Sequence, residues 1–190
     1  ELNVGSPAPA FSIPAALGGK DIVFDLAASL TKGPVVVYFY PKSFTSVCTE
    51  EARLFAEAME EFETLGASVI GISTDTLDTQ REFSRLECRD KFPVGADTDG
   101  SVVRAYDAAR GTTSRIMASR TSYVIAPDSR IHSVLTASDA ESHIQFALKS
   151  IRAWNRKGTV TFGTPTPGDA VVTGFSVIAA ASLVIRSRVR

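Results

Sequence analysis

The sequence predicts an α/β layer fold, a central mixed sheet flanked by helices. Three observations predict it. Residues 35–40 form an unbroken β-branched and aromatic run, apolar residues at helical spacing follow (Leu54, Phe55, Ala58, Met59, Phe62, Leu65), and residues 67–73, Ala-Ser-Val-Ile-Gly-Ile-Ser, read as a second strand. Strand, long helix, strand is a βαβ unit, which implies a right-handed crossover and parallel pairing. Residues 122–125 and 131–135 flank Pro127-Asp128-Ser129-Arg130, which reads as a hairpin and adds antiparallel strands. One helix follows the βαβ unit and another follows the hairpin, so helices are on hand to cover the sheet.

Each element has its own local reason. Residues 2–13 carry Pro7 and Pro9, with Pro14 just beyond and Phe11 among them, and read as an extended lead-in. Gly18-Gly19 turns the chain into a short strand at 22–24. Residues 25–31 allow a turn or two of helix, closed by Gly33. The first central strand, 35–40, stops at Pro41, which has no N–H for a ladder. The long helix, 47–65, ends at Gly66, a good residue just past a helix end. The second central strand is 67–73. Asp75 or Thr76 caps a helix over 77–90 with Leu77, Phe83 and Leu86 as its apolar contacts. Residues 92–96 are briefly extended, 97–100 form a turn cluster, and Val102, Val103 and Tyr106 read as a short helix. After the hairpin, Ser138 caps a last helix that packs through Ile144, Phe146, Ala147, Leu148, Ile151 and Trp154 and ends at Gly158.

The folded domain is thus expected over 1–158. Residues 159–190 differ: Thr164-Pro165-Thr166-Pro167-Gly168 is linker-like, 170–185 is nearly all apolar, and Arg186, Arg188 and Arg190 follow. Sixteen residues fall short of the ~20 of a membrane span, and Thr173, Gly174, Ser176 and Ser182 weaken the run further. The tail is read as a strand or helix that docks on the domain or a partner, in preference to a membrane anchor.

The chain has 190 residues and a formal net charge of −1, which gives no electrostatic case for nucleic acid or an anionic membrane. Two cysteines and two histidines make no recognised zinc spacing and no disulfide-rich scaffold, so neither metal nor cofactor is expected. The chain begins at Glu1 with no methionine, which suggests trimming or removal of an N-terminal segment. The cytoplasm is favoured, with an exported or organellar form left open.

Cys48 sits where a strand ends and the long helix begins. Helix N-termini present unpaired N–H groups and the positive end of the dipole, a setting that favours the reactive thiolate. Thr45 can cap that helix or aim its hydroxyl at whatever Cys48 attacks. Most isolated cysteines are small buried hydrophobes; the succession strand, proline, threonine, cysteine is what sets this one apart.

That succession, Pro41-x-x-x-Thr45-x-x-Cys48, resembles the peroxidatic motif of the peroxiredoxins of the AhpC/TSA superfamily. The flanks Tyr38-Phe39-Tyr40-Pro41-Lys42 and Cys48-Thr49-Glu50-Glu51 are similar too, as is the opening Val4-Gly5-x-Pro7-Ala8-Pro9-x-Phe11. Arg120 completes the set, in an Arg-x-x-x-Val-Ile-x-x-x-x-x-Ile context ending at Ile131. The resemblance covers about residues 2–157 and is nearest to the bacterioferritin-comigratory or peroxiredoxin Q group. It implies a thioredoxin-like fold and a thiol-dependent peroxidase acting on hydrogen peroxide and organic hydroperoxides. In that role Cys48 becomes a sulfenic acid, Pro41 shields it, Thr45 and the Cys48 N–H hold the peroxide, and Arg120 supports the thiolate.

The resemblance also implies a resolving cysteine. In this group it can lie five residues after the first, where Arg53 stands here, or on the following helix, where Cys88 stands. Cys88 would then form a disulfide with Cys48, to be reduced by thioredoxin or a similar dithiol. If Phe83 and Leu86 face the core, Cys88 points outward at ~100° per residue, beside Arg81, Arg85 and Arg89. A disulfide needs Cα atoms within about 7 Å, so the first turn at Cys48 and the Cys88 helix are expected to unwind on oxidation. The expected assembly is a monomer or weak homodimer. His132 and His143 carry no motif, with His143 read as exposed or half-buried, and Glu50-Glu51 reads as a solvated first turn. Two other readings stand behind the first. A thiol–disulfide oxidoreductase is disfavoured because Glu51 stands where Cys-x-x-Cys needs its second sulfur. A non-catalytic interaction domain, assembling through the tail, is the other.

Overall fold

The computed structural model describes residues 1–112 and 115–158. The apolar tail and its linker lie outside the described residues. A seven-stranded mixed sheet has the order β2-β1-β5-β4-β3-β8-β9. Its centre is β3 (Val35–Phe39), joined through α2 (Ser46–Thr64) to the parallel strand β4 (Ser68–Ser73). The chain continues through α3 (Leu77–Leu86) to β5 (Val94–Ala96), parallel to β4. On the other side of β3 lies the antiparallel pair β8 (Thr121–Ile125) and β9 (Ile131–Thr136), followed by α5 (Glu141–Gly158). The far edge is the hairpin β1 (Ser12–Leu17) and β2 (Lys20–Asp25), which leads into α1 (Leu26–Leu30). The short α4 (Ser101–Ala105) and a separate hairpin, β6 (Ala109–Thr112) with β7 (Arg115–Ala118), complete the domain.

β3 is buried on both faces, so it reads as a continuous hydrophobic run. Val36 and Tyr38, with Tyr40 beyond, enter a cluster that includes Phe55 and Phe62 of α2, Phe83 of α3 and Ile151 of α5. Val35, Val37 and Phe39 enter a second cluster with Leu26 and Leu30 of α1 and Val103 of α4. Tyr38 stacks on Phe55 at 4.4 Å between centroids. Its cross-strand partner is Gly71, where an added Cβ would lie 2.5 Å from the Tyr38 ring, so glycine leaves room for the tyrosine. Gly66, at φ +73°, ends α2 with the Ala67 N–H bonded to Phe62 O.

Four local expectations need correction. Residues 12–17 form a strand although Pro14 lies within it; of this strand only Ala15 and Ala16 pair with β5, so Pro14 has a single neighbouring strand. α3 stops at Leu86 instead of running to Asp90. Arg89 and Asp90 are both left-handed (φ 51° and 59°), and the chain turns inward at Cys88. The buried face of α3 is Gln80, Phe83 and Ser84, and Leu86 faces solvent. At α5 the Ser142 N–H is taken by Asp139 Oδ1 at 2.8 Å, making Asp139, not Ser138, the capping side chain.

Candidate active site

β3 delivers Tyr40 and Pro41 to a short loop, and α2 begins with Thr45 as its N-cap residue. Cys48 falls in the first turn of α2 and is 1% exposed. The loop is pinned from behind. Ser43 N–H donates to Asp75 Oδ2 at 2.7 Å, and Tyr40 O–H donates to Gln80 Oε1 at 2.8 Å. Gln80 in turn donates to Ser73 Oγ and Gly95 O. Phe44 adopts φ 63°, a conformation that side chains rarely take, and this strained residue immediately precedes Thr45. The Thr45 hydroxyl makes no capping bond; it donates to Lys42 O at 3.0 Å.

Strand register brings Arg120 to the sulfur. Phe39 is the Cα partner of Thr121, so the residue just before β8 lies across from the residues just after β3. From there Arg120 Nη2 donates to Cys48 Sγ at 3.2 Å, and Nη1 donates to Glu51 Oε2. Arg115 is instead on β7 and exposed.

Glu51 is the site's unforeseen member. It is fully buried, not solvated. Burial pushes its carboxyl up to about 8, against the opposing pull of Arg120. Three residues after Cys48, it shares that residue's face of α2, a spacing that could have flagged it. His143, expected at or near the surface, is also fully buried. Its Nδ1 lies 2.7 Å from Ser122 Oγ and 3.9 Å from Glu51 Oε1; its Nε2 lies 3.2 Å from Ala137 O. A carbonyl only accepts, which assigns the hydrogen to Nε2 and leaves Nδ1 to accept from the Ser122 hydroxyl. Burial, with the Arg120 charge in support, holds this histidine below its ordinary range, in keeping with a neutral ring.

Pro41 and Arg120 line a surface depression of about 510 Å³ beside the buried sulfur. Cys88 is placed otherwise than expected. It is buried in the same hydrophobic cluster as Cys48, and both thiols are free. Burial, and then the Glu87 and Asp90 charges, push its thiol far up. Two of the three arginines assigned to its side are engaged elsewhere: Arg81 with Asp21 and Asp78, and Arg89 with Glu57 at 3.3 Å. A further pair, Arg53–Glu87 at 2.8 Å, also straps the Cys88 segment to α2.

Comparison with known proteins agrees with this geometry. A model of the AhpC/TSA family matches residues 4–134. A putative peroxiredoxin of Mycobacterium tuberculosis strain H37Rv is 35% identical over 130 residues, 67% of this chain and 84% of that protein. Among solved structures, the peroxidoxin BcpB from Mycobacterium tuberculosis aligns with a TM-score of 0.75 at 31% identity, over 80% of this chain and 98% of that one. A PrxQ mutant from Xylella fastidiosa aligns at 0.71 and 25% identity, over 82% and 98%.

Proposed function

This chain belongs to the AhpC/TSA family and is a peroxiredoxin, a thiol-dependent peroxidase, and from that premise we propose that Cys48 is the sulfur that attacks the peroxide. The observation that carries the assignment is the Arg120 guanidinium, shared between Cys48 Sγ and the buried Glu51. A permanent charge in a fixed fork favours the thiolate over the thiol and cannot itself act as a competing acid.

The Cys48 thiolate attacks the terminal peroxide oxygen. The S–O bond forms as the O–O bond breaks, and the sulfur gives up two electrons to become a sulfenic acid. The departing oxygen leaves as water or an alcohol after taking a proton. Thr45 suits the role of acceptor: its hydrogen is committed to Lys42 O, so its lone pairs are left for the peroxide O–H. The first ladder bond of α2 runs from Thr49 N–H to Thr45 O. The Cys48 N–H precedes that ladder and is positioned to support developing negative charge. Pro41, beside Arg120 in the depression, shields the sulfur from water.

Cys88 then resolves the sulfenic acid. Its thiolate attacks the Cys48 sulfur, the S–S bond forms as the S–O bond breaks, and the hydroxide takes up the proton that the Cys88 thiol gave up and leaves as water; thioredoxin or a similar dithiol restores both thiols. Cys88 is 0% exposed, so this step requires the 87–91 segment and the first turn of α2 to open. The test is peroxide consumption with a thioredoxin system, paired with intact mass. Wild type should consume peroxide and lose two hydrogens on oxidation. Cys48→Ser should do neither, and turnover retained in that variant would remove the assignment.

A further inference from the structure

Behind the Cys48 loop lies a polar cluster centred on Gln80 of α3, which is 0% exposed. A buried amide is costly unless its hydrogen-bonding capacity is met. Here all of it is. Nε2 donates to Ser73 Oγ at 2.8 Å and to Gly95 O at 3.0 Å. Oε1 accepts from the Tyr40 hydroxyl at 2.8 Å and from Ser43 Oγ at 3.3 Å. A carbonyl only accepts, so Gly95 fixes which end of the amide is nitrogen and turns the oxygen toward the loop.

These bonds close a ring. Ser73, the last residue of β4, passes its hydroxyl hydrogen to Asp75 Oδ2 at 2.8 Å. The same carboxylate oxygen accepts the Ser43 N–H at 2.7 Å, and Ser43 Oγ leads back to Gln80. Ser43 is therefore held at its backbone and at its side chain, from β4 and α3 together.

The next residue is Phe44, at φ 63° and 43% exposed. A left-handed phenylalanine is costly and persists only where its surroundings over-determine it. Its ring meets Phe83 edge-on, with centroids 5.2 Å apart. A single edge contact from so exposed a ring is too little to fix the backbone, whereas the clamp on Ser43 acts on the adjoining peptide. Thr45 follows, its carbonyl starting the α2 ladder and its hydroxyl turned to Lys42 O. The orientation of Thr45 thus depends on Phe44, and that of Phe44 on Ser43.

We propose that Gln80 is a positioning residue for the peroxide step. It acts through Ser43 to keep Phe44 left-handed, and so keeps the Thr45 hydroxyl where a peroxide at Cys48 can use it. None of its four bonds goes to the sulfur. The inference rests on the assignment of Cys48 as the attacking sulfur and Thr45 as a peroxide contact.

The experiment measures two second-order rates at Cys48 at one pH. One is oxidation by hydrogen peroxide; the other is alkylation by iodoacetamide, read from the mass of the Cys48 peptide. Oxidation needs Thr45, whereas alkylation needs only an accessible thiolate. Gln80→Met keeps the shape of the side chain and removes its bonds. It should slow oxidation by about ten- to a hundredfold, the scale of a small misplacement in an active site, with alkylation unchanged or faster. Adding Phe44→Asn, since asparagine tolerates the left-handed conformation, should restore much of the lost rate. Tyr40→Phe keeps the ring stacked on Phe83 and loses the bond to Gln80. It should show the same pattern at about threefold, and it is judged by the same outcomes should Gln80→Met not fold. Oxidation at the wild-type rate, a matching fall in alkylation, or no recovery with Phe44→Asn would overturn the proposal. Cys48→Ser, run with hydrogen peroxide, separates the two layers. Turnover retained there sinks the Cys48 assignment, whereas an inactive Cys48→Ser beside a fully active Gln80→Met sinks only the role of Gln80.

Discussion

One guanidinium serves two partners: Arg120 donates to Cys48 Sγ through Nη2 and to Glu51 Oε2 through Nη1. Lysine at 120 would keep the charge and lose the fork. Arg120→Lys is expected to lower kcat/KM for hydrogen peroxide by about a hundredfold, the scale seen when one fixed donor to developing charge is removed. Glu51→Gln should cost less, on the order of tenfold, because it acts through Arg120. The double variant should fall short of the product of the two effects, since the residues act as one unit. Stopped-flow oxidation of Cys48 measures all three.

Glu51 also ties stability to pH. Its carboxyl titrates at about 8 when folded, against an ordinary 4.5. The folded state therefore holds this proton more tightly, and the associated stability is fully present below about 4.5 and lost as pH rises to about 8. Urea midpoints for wild type should decline between pH 5 and pH 8.5. Glu51→Gln should flatten that decline, and an identical profile in both proteins would refute the linkage.

His143 works in the opposite direction. Its range is lowered, burial being the first cause, so its contribution is present above its ordinary value of 6.5 and lost as pH falls below it. Below that point Nδ1 turns from acceptor to donor, breaks the bond it accepts from the Ser122 hydroxyl, and places a second positive charge beside the Arg120–Glu51 contact. The Cys48 oxidation rate should show an acid limb that is reduced in His143→Asn, in which an amide can still meet Ser122.

The Cys88 segment is strapped to α2 by Arg53–Glu87 and Arg89–Glu57. Exposed pairs contribute at most about 1 kcal/mol each, so opening either should speed disulfide formation by up to about fivefold. Arg53→Gln and Glu57→Gln, followed by mass against time after one equivalent of peroxide, are expected to show it. They should also show less sulfinic acid at Cys48, because a faster second step leaves less time for over-oxidation.

Gly71→Ala tests the core. The new Cβ would lie 2.5 Å from the Tyr38 ring, which is wedged against Phe55 at 4.4 Å. Overpacking of this kind costs about 1–3 kcal/mol and should appear as a lower urea midpoint with an unchanged slope.

The central βαβ unit could be read from sequence because its signals are local: a run of β-branched residues, a helical period, and Gly66 at the turn. The family spelling around Cys48 and Arg120 was legible for the same reason. What could not be read depends on neighbours distant in sequence. β1 survives Pro14 only because β2 pairs along its length. β6 is exposed throughout and β7 is Arg-Ile-Met-Ala, so no alternation of apolar and polar residues marks the hairpin they form. The outward reading of Cys88 assumed that α3 continues, and two left-handed residues end that assumption. Glu51 looked solvated because first-turn acids usually are; its burial comes from Arg120 and α5, elements about 70 and 90 residues further along.

The β6–β7 hairpin shares no strand with the main sheet. The register that brings Arg120 to the sulfur is set by the pairing of β8 with β3, and the hairpin's base, where Ser119 donates to Ala108 O, joins that register to the hairpin. The reactive arginine is thus anchored from two directions, so a change in the hairpin's base would be felt at the sulfur whereas one in its outer rungs would leave the sheet pairing in place.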